Sequence, residues 1–288
     1  MRHACLLPVL ASALLVAAPA AAQTSEVPAA PPPSNGDFGD SITVGVAAAA
    51  VPEYEGSDKY DIVPAPAAIG TVAGLPFQLL GNRLSVDLIP NRPGPGIDFQ
   101  LGPIAVLNLN RTSTRGIRDD RVAALGKLDT GIEVGAYVGL GKVGVITSDY
   151  DRLSVSVSYR QDVNGASKGA VWQPSVSYLT PLSTKTAVGL FFTADRADND
   201  YAGYYFSVNA AQATASGLPA FQARSGWKSY TIGALGTISL TGDLLHGFKL
   251  VAGGTYKRML NDFADSPVTS IAGDRNQWLG AVGLAYTF

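Results

Sequence analysis

The sequence predicts an all-β fold, a transmembrane antiparallel β-barrel of the bacterial outer membrane, with about 12 strands or, on a stricter count, about 10. Three observations carry this. The final residues alternate strictly, with Trp278, Val282, Leu284, Tyr286 and Phe288 on one face and Gln277, Ala281, Gly283, Ala285 and Thr287 on the other, as side chains do across a strand. The same period recurs along the chain, and the small and polar face is the one that must turn inward, the reverse of a soluble barrel's packed core. Beyond the N-terminus, no stretch has the roughly 18 uninterrupted apolar residues of a helical span. A membrane protein of this sequence must therefore cross with strands.

The chain opens with Arg2, an apolar run from Leu6 to Ala18, and Ala20, Ala21 and Ala22 before Gln23. That is the pattern of a secretory signal with a small-residue cleavage site, so residues 1–22 are expected to be removed after Ala22. Cys5, the sole cysteine, lies inside this segment, and the mature chain is expected to carry neither thiol nor disulfide. Without Arg2, Lys and Arg fall from 21 to 20 against 23 Asp and Glu, a balance that gives nucleic acid no obvious handle. Residues 23–40, with Pro28, Pro31, Pro32 and Pro33, read as an extended periplasmic leader unable to build a core. Residues 41–288 read as the barrel.

The first strand sets Ile42, Val44 and Val46 against Thr43 and Gly45. The second, near Ile62 to Thr71, is weakened by Pro64 and Pro66, each of which removes a ladder hydrogen bond. Leu84, Val86 and Leu88 oppose Ser85 and Asp87; Phe99 and Leu101 oppose Gln100 and Gly102; Ile132, Val134, Val138 and Leu140 oppose Glu133, Gly135 and Gly139. The clearest alternation sets Leu153, Val155, Val157 and Tyr159 against Ser154, Ser156, Ser158 and Arg160, and no helical period fits it. Strands near Ala170 to Leu179, Val188 to Phe192 and Gly203 to Asn209 follow, then Tyr230 to Leu240, Phe248 to Lys257 and the closing strand.

An even count brings both termini to the periplasm. Counting back from a periplasmic Phe288 makes Met259 to Asn276, Ala210 to Gly226, Lys142 to Tyr150, Pro90 to Gly96 and Pro52 to Tyr60 outer loops. Thr241 to His246, Asp162 to Lys168 and the long Arg111 to Asp129 connection become inner ones. Periplasmic turns are usually short, so the last is anomalous. Its Val122, Leu125 and Leu128 could form an apolar patch, on a short helix, for a periplasmic partner or pack back as a plug.

Five charges project inward by strand parity: Asp87, Glu133, Arg160, Lys249 and Lys257. An unpaired charge in a narrow lumen is costly, so ion pairs across the lumen are expected, with Glu133 and Arg160 the first candidates; a selective pore is the alternative. The mature chain's one histidine, His246, falls in a predicted turn, and no Ser/Lys or paired-carboxylate constellation replaces a histidine base. No enzyme, metal or cofactor chemistry is expected.

Several clusters recur in a fixed order: Pro52, Tyr54, Gly56, Ser57, Asp58 and Tyr60; Leu84 to Leu88; Leu101, Gly102 and Pro103; Gly217, Leu218 and Pro219; and Asn261, Asp262, Asp265, Ser266 and Pro267. Together these resemble the MipA/OmpV family, the MltA-interacting outer-membrane proteins, over about residues 40 to 288. Locally, Tyr54 reads as a membrane-interface residue of a Gly-containing loop, and Asp262, Asp265 and Ser266 as turn and capping residues; a ligand epitope and calcium are the sharper alternatives. The resemblance implies a non-enzymatic protein held in outer-membrane lipid. It also implies a scaffold linking a murein-cleaving lytic transglycosylase to a penicillin-binding protein, while other members are described as adhesion or stress-response proteins. A passive channel and a surface adhesin remain the alternatives.

Overall fold

The computed structural model describes residues 41–90 and 96–288; the expected signal peptide and leader lie outside the described residues. Twelve antiparallel strands close into a barrel in which each strand pairs with its sequence neighbour and the last with the first. They are β1 (Ser41–Pro52), β2 (Tyr60–Val72), β3 (Leu75–Leu80), β4 (Arg83–Val86), β5 (Ile97–Asn108), β6 (Gly131–Val143), β7 (Arg152–Asp162), β8 (Ala170–Pro181), β9 (Thr186–Ala197), β10 (Gly226–Ser239), β11 (Gly247–Met259) and β12 (Asn276–Thr287). Closure runs from Thr43 opposite Thr287 to Ala50 opposite Gly280, leaving no free edge at the seam.

The expected count of about 12 strands matches the observed one through two offsetting differences. The stretch 203–209 is not a strand: α2 (Asn199–Phe206) occupies most of it, capped by the Asp198 carboxylate, which accepts from Tyr201 N. Its buried Tyr201, Ala202, Tyr205 and Phe206 repeat with a helical rather than a strand period. Conversely, Leu75–Leu80 is a strand that alternation does not reveal, because its hairpin is set by its turn. Ala73 and Gly74 both have positive φ, 53° and 77°, the pair of left-handed residues a two-residue type I′ turn needs. Each difference reverses strand direction, so every connection between them changes side. Arg111 to Asp129 and Asp162 to Lys168 lie at the end opposite Phe288, whereas Lys142 to Tyr150 and the described ends of Pro90 to Gly96 lie at the Phe288 end. The anomaly of a long inner connection disappears with this correction.

Pro64 and Pro66 fit because β3 is short. It pairs with β2 only from Ala67 to Val72, so both prolines lie where β2 has β1 on one side and no strand on the other. Arg118, from the 109–130 connection, covers that edge and donates to Tyr60 O at 2.6 Å and Asp61 Oδ1 at 2.9 Å.

The outer wall is apolar. Val46, Leu101, Val138, Val155, Ile232, Val282 and Leu284 are all exposed on it, a band too large for a water-facing surface. Aromatic residues ring both rims: Phe248, Tyr286 and Phe288 in successive edge contacts at one end, and Tyr159 with Trp172 and Tyr256 with Trp278 at the other. This is the arrangement of a lipid-embedded barrel with interfacial girdles. Val138 sits mid-wall opposite Leu101 and Val157. Val138→Arg is expected to cost about 2–4 kcal/mol and to deplete the heat-modifiable folded band on gels, while Val138→Leu leaves it intact. Equal folded yields would mean that this face does not meet lipid.

Candidate functional site at the capped mouth of the barrel

The end opposite Phe288 carries a folded cap built from four connections: 53–59, 109–130, 198–225 and 260–275. Local sequence nucleates its helices. Asp119 caps α1 (Asp120–Ala124), and Asn209 with Gln212 forms a reciprocal capping box on α3 (Ala210–Ser216), which ends on left-handed Gly217. Ser266 separates α4 (Asn261–Asp265) from α5 (Pro267–Ser270), accepting from Val268 N and donating to Phe206 O at 2.6 Å. Such short helices are marginal alone. Two apolar clusters hold them. One packs Tyr201, Tyr205 and Phe206 against Phe263, Met259 and the rim residues Val171 and Ala197. The other packs Tyr54, Val122, Leu125, Val208, Leu218 and Val268.

Val122 and Leu125 are buried inside the cap and Leu128 packs partly buried against it, so of the two readings of this patch the structure takes the plug, at the end opposite Phe288, and leaves no exposed apolar face for a partner. One expectation is corrected: Tyr54 is interior rather than at a membrane interface. Its hydroxyl donates to Ala272 O at 2.5 Å, and burial raises its pKa far above the ordinary phenol value, with Asp119 adding to the effect.

The two motif clusters, 200 residues apart in sequence, lock onto each other. Gly56 has φ of +108°, and a Cβ there would lie 2.6 Å from Thr269 Oγ1; a Cβ on Gly273 would lie 1.8 Å from Gly56 O. Only glycine permits this approach. Gly56 O accepts from Asp274 N at 2.8 Å, and Ser57 O accepts from Gln277 Nε2 at 3.1 Å. Pro52 ends β1 opposite Tyr60. Asp58 is exposed beside Lys59 at 3.2 Å. Asp262 pairs with Arg224 at 2.9 Å, which holds its carboxyl below the usual range, and Asp265 lies 3.8 Å from Arg275. Pro267 is buried as the first residue of α5. Among the described residues no cluster of three metal-ligating side chains occurs.

Beneath the cap a polar layer crosses the lumen. Arg160 Nε donates to Glu133 Oε2 at 2.6 Å, and Asn108 Nδ2 donates to Glu133 Oε1 at 2.9 Å and to Tyr201 Oη at 3.3 Å. Tyr201 Oη donates to Glu55 at 3.4 Å, and Glu55 binds both Lys228, at 2.9 Å, and Lys257. Lys228 also lies 3.8 Å from Asp195, which accepts from Gln173 Nε2 at 2.7 Å; Gln173 in turn accepts from Arg83 Nη1 at 2.6 Å. These side chains come from every strand from β4 to β11. Burial alone would push the Glu55 carboxyl up, but Lys228 and Lys257 outweigh it and hold it at about 2.

Of the five charges expected inward, all are buried. Glu133, Arg160 and Lys257 meet in this layer. Asp87 and Lys249 sit apart from it, near the Phe288 end: Asp87 accepts from Ile89 N and Leu101 N, and Lys249 reaches the Thr287 hydroxyl. Strand parity misses Lys228, which would face lipid if Ser229 faces the lumen. A register shift between Trp227 and Ser229 turns both inward. Asp195 was findable two residues beyond the inward Thr193. Glu55 was not, because it belongs to a loop.

The family model described as MltA-interacting protein MipA matches residues 44–288. The chain belongs to this family. The match begins inside β1 and runs to the last residue, covering β2 to β12 and all four cap connections. No curated protein matches the sequence. Among solved structures the chain is similar to outer-membrane-expressed OmpT of Vibrio cholerae, at 7% identity over 86% of this chain and 97% of that one, with a TM-score of 0.35. It is similar to the CymD monoaromatic hydrocarbon channel, at 10% identity over 86% and 88%, with a TM-score of 0.36, and to OprD from Pseudomonas aeruginosa, at 7% over 89% and 96%, with a TM-score of 0.30. The protein is an outer-membrane β-barrel.

Proposed function

We propose that the barrel is a non-enzymatic anchor that holds murein-remodelling machinery, a lytic transglycosylase and with it a penicillin-binding protein, at the Phe288 end. The family match supports the first partner by name; the second rests on the resemblance stated above. The observation that carries the reading is the closed mouth. A polar layer drawn from successive strands, under a packed cap, is the opposite of a water path. The sole histidine among the described residues, His246, lies exposed in a turn, 3.8 Å from Asp243, which offers no catalytic partner set.

Short turns face the periplasm in barrels of this kind, which supports a periplasmic Phe288 end. At that end the 144–151 hairpin presents Ile146, 65% exposed, and Tyr150, 79% exposed. The buried Asp151 carboxylate fixes the hairpin, accepting from Val145 N at 2.6 Å, Ile146 N at 2.9 Å and Tyr178 Oη at 2.8 Å. A rigid aromatic and aliphatic pair with little ordering cost suits a protein hot spot. Ile146→Ser with Tyr150→Ser is expected to reduce periplasmic crosslinking to the transglycosylase at least tenfold while the folded band stays intact. Undiminished capture would remove this hairpin as the docking surface. Steady conductance of the wild-type barrel in a planar bilayer would contradict the closed mouth and favour a channel.

A further inference from the structure

Arg111 opens the 109–130 connection and is turned into the cap. Only 2% of it is exposed, and its Nε and Nη2 are sealed from solvent without a hydrogen-bond partner. It forms no ion pair with any carboxylate among the described residues; the ionisable groups that act on its charge are the phenols of Tyr54, Tyr204 and Tyr205. Tyr204 Oη accepts from Asp129 N at 2.9 Å, so its own proton remains to be donated. Tyr205 Oη is buried without a partner, with Ser167 near it but outside hydrogen-bond geometry.

The backbone is committed to this placement. Arg111 has φ of +60°, the left-handed region that a long side chain rarely adopts and that concentrates at functional positions. Its carbonyl accepts from Leu128 N at 2.8 Å, which ties the start of the connection to its end. If filling space were the requirement, methionine or leucine would meet it without desolvating a charge. A guanidinium fork with phenolic O–H groups beside it is instead the donor set for a tetrahedral or planar oxyanion.

We propose that Arg111, with Tyr204 and Tyr205, forms an oxyanion site of the phosphate class inside the cap, and that the bound anion supplies the missing counter-charge. Burial lowers the Arg111 pKa, to about 10, and the side chain is still a full cation at neutral pH.

The test is calorimetric titration of the folded, detergent-solubilised protein with inorganic phosphate and, separately, with short-chain phosphatidic acid, at fixed ionic strength in chloride. Saturable binding near one anion per chain is expected, weakened at least tenfold in Arg111→Lys, which keeps the charge and loses the fork, and unchanged in Lys185→Met, which removes an exposed cation from a turn at the Phe288 end. Binding of inorganic phosphate marks a free anion as the ligand; binding of the lipid alone marks a headgroup. If the Arg111 variants do not fold, wild-type melting decides. A midpoint that climbs with phosphate and then levels off, beyond the steady rise that exclusion of phosphate from the surface gives any folded protein, supports the site, and one that shows only that steady rise or does not move overturns it. Absence of saturable binding from either source, or undiminished binding in Arg111→Lys, overturns it as well.

Discussion

Replacing Glu55 with alanine is expected to unlock the capped mouth. The carboxylate binds Lys228 at 2.9 Å and Lys257, and the side chains of both lysines are less than a tenth exposed. Removing one partner of a buried pair strands the other charge, at about 3–5 kcal/mol, and here two cations are affected. Lys228 keeps the Tyr201 hydroxyl at 3.2 Å and, as its one remaining carboxylate, the more distant Asp195 at 3.8 Å. The loss falls on the cap rather than on the wall, whose ladder hydrogen bonds are untouched. The variant should show early proteolysis of the 198–225 and 260–275 connections, and flickering conductance where the wild type is silent. Identical proteolysis and silence in both proteins would show that Glu55 is not what holds the mouth shut.

Acid should reproduce part of this effect. Glu55 has a folded-state pKa of about 2, below its ordinary value of 4.5, so its contribution is fully present above about 4.5 and is lost as pH falls toward 2. Near-ultraviolet circular dichroism of the cap tyrosines should decline through that window. Glu55→Gln, already neutral, should lose this component of the decline, and an unchanged acid profile in the variant would assign the titration to other carboxylates.

The second large effect is expected from Phe263→Ala. Phe263 is fully buried between α4 and α2 and meets the Phe206 ring edge-on at 5.1 Å. Truncating a buried phenylalanine costs about 3–5 kcal/mol, through lost burial and the cavity left behind. Because short helices depend on tertiary packing, most of the cap should melt with it. A new low-temperature transition in the tyrosine signal is expected, with the barrel's heat-modifiable band unaltered. A single transition at the wild-type midpoint would mean that cap and barrel unfold as one unit.

Sequence alone determined the wall. Period-two alternation is written into most strands, and it alone puts Glu133 and Arg160 on the lumen face within reach of each other. The closing strand, the apolar outer face and the ordered family-like clusters were legible for the same reason, since each is a local pattern. Tertiary structure decided what depends on counting and on packing. The β3 hairpin is set by two left-handed turn residues, Ala73 and Gly74, and α2 by the Asp198 cap, neither of which produces alternation. A hairpin that alternation does not reveal and a helix that can be read as a strand leave the expected total unchanged and reverse the end at which the 109–130 connection is expected. Only the three-dimensional fold could bring Gly56 against Gly273, turn Lys228 inward through a register shift, and seat Glu55 and Arg111 in a cap interior. Such placements are made by contacts between connections remote in sequence, and a loop residue carries no strand parity from which its neighbours can be read.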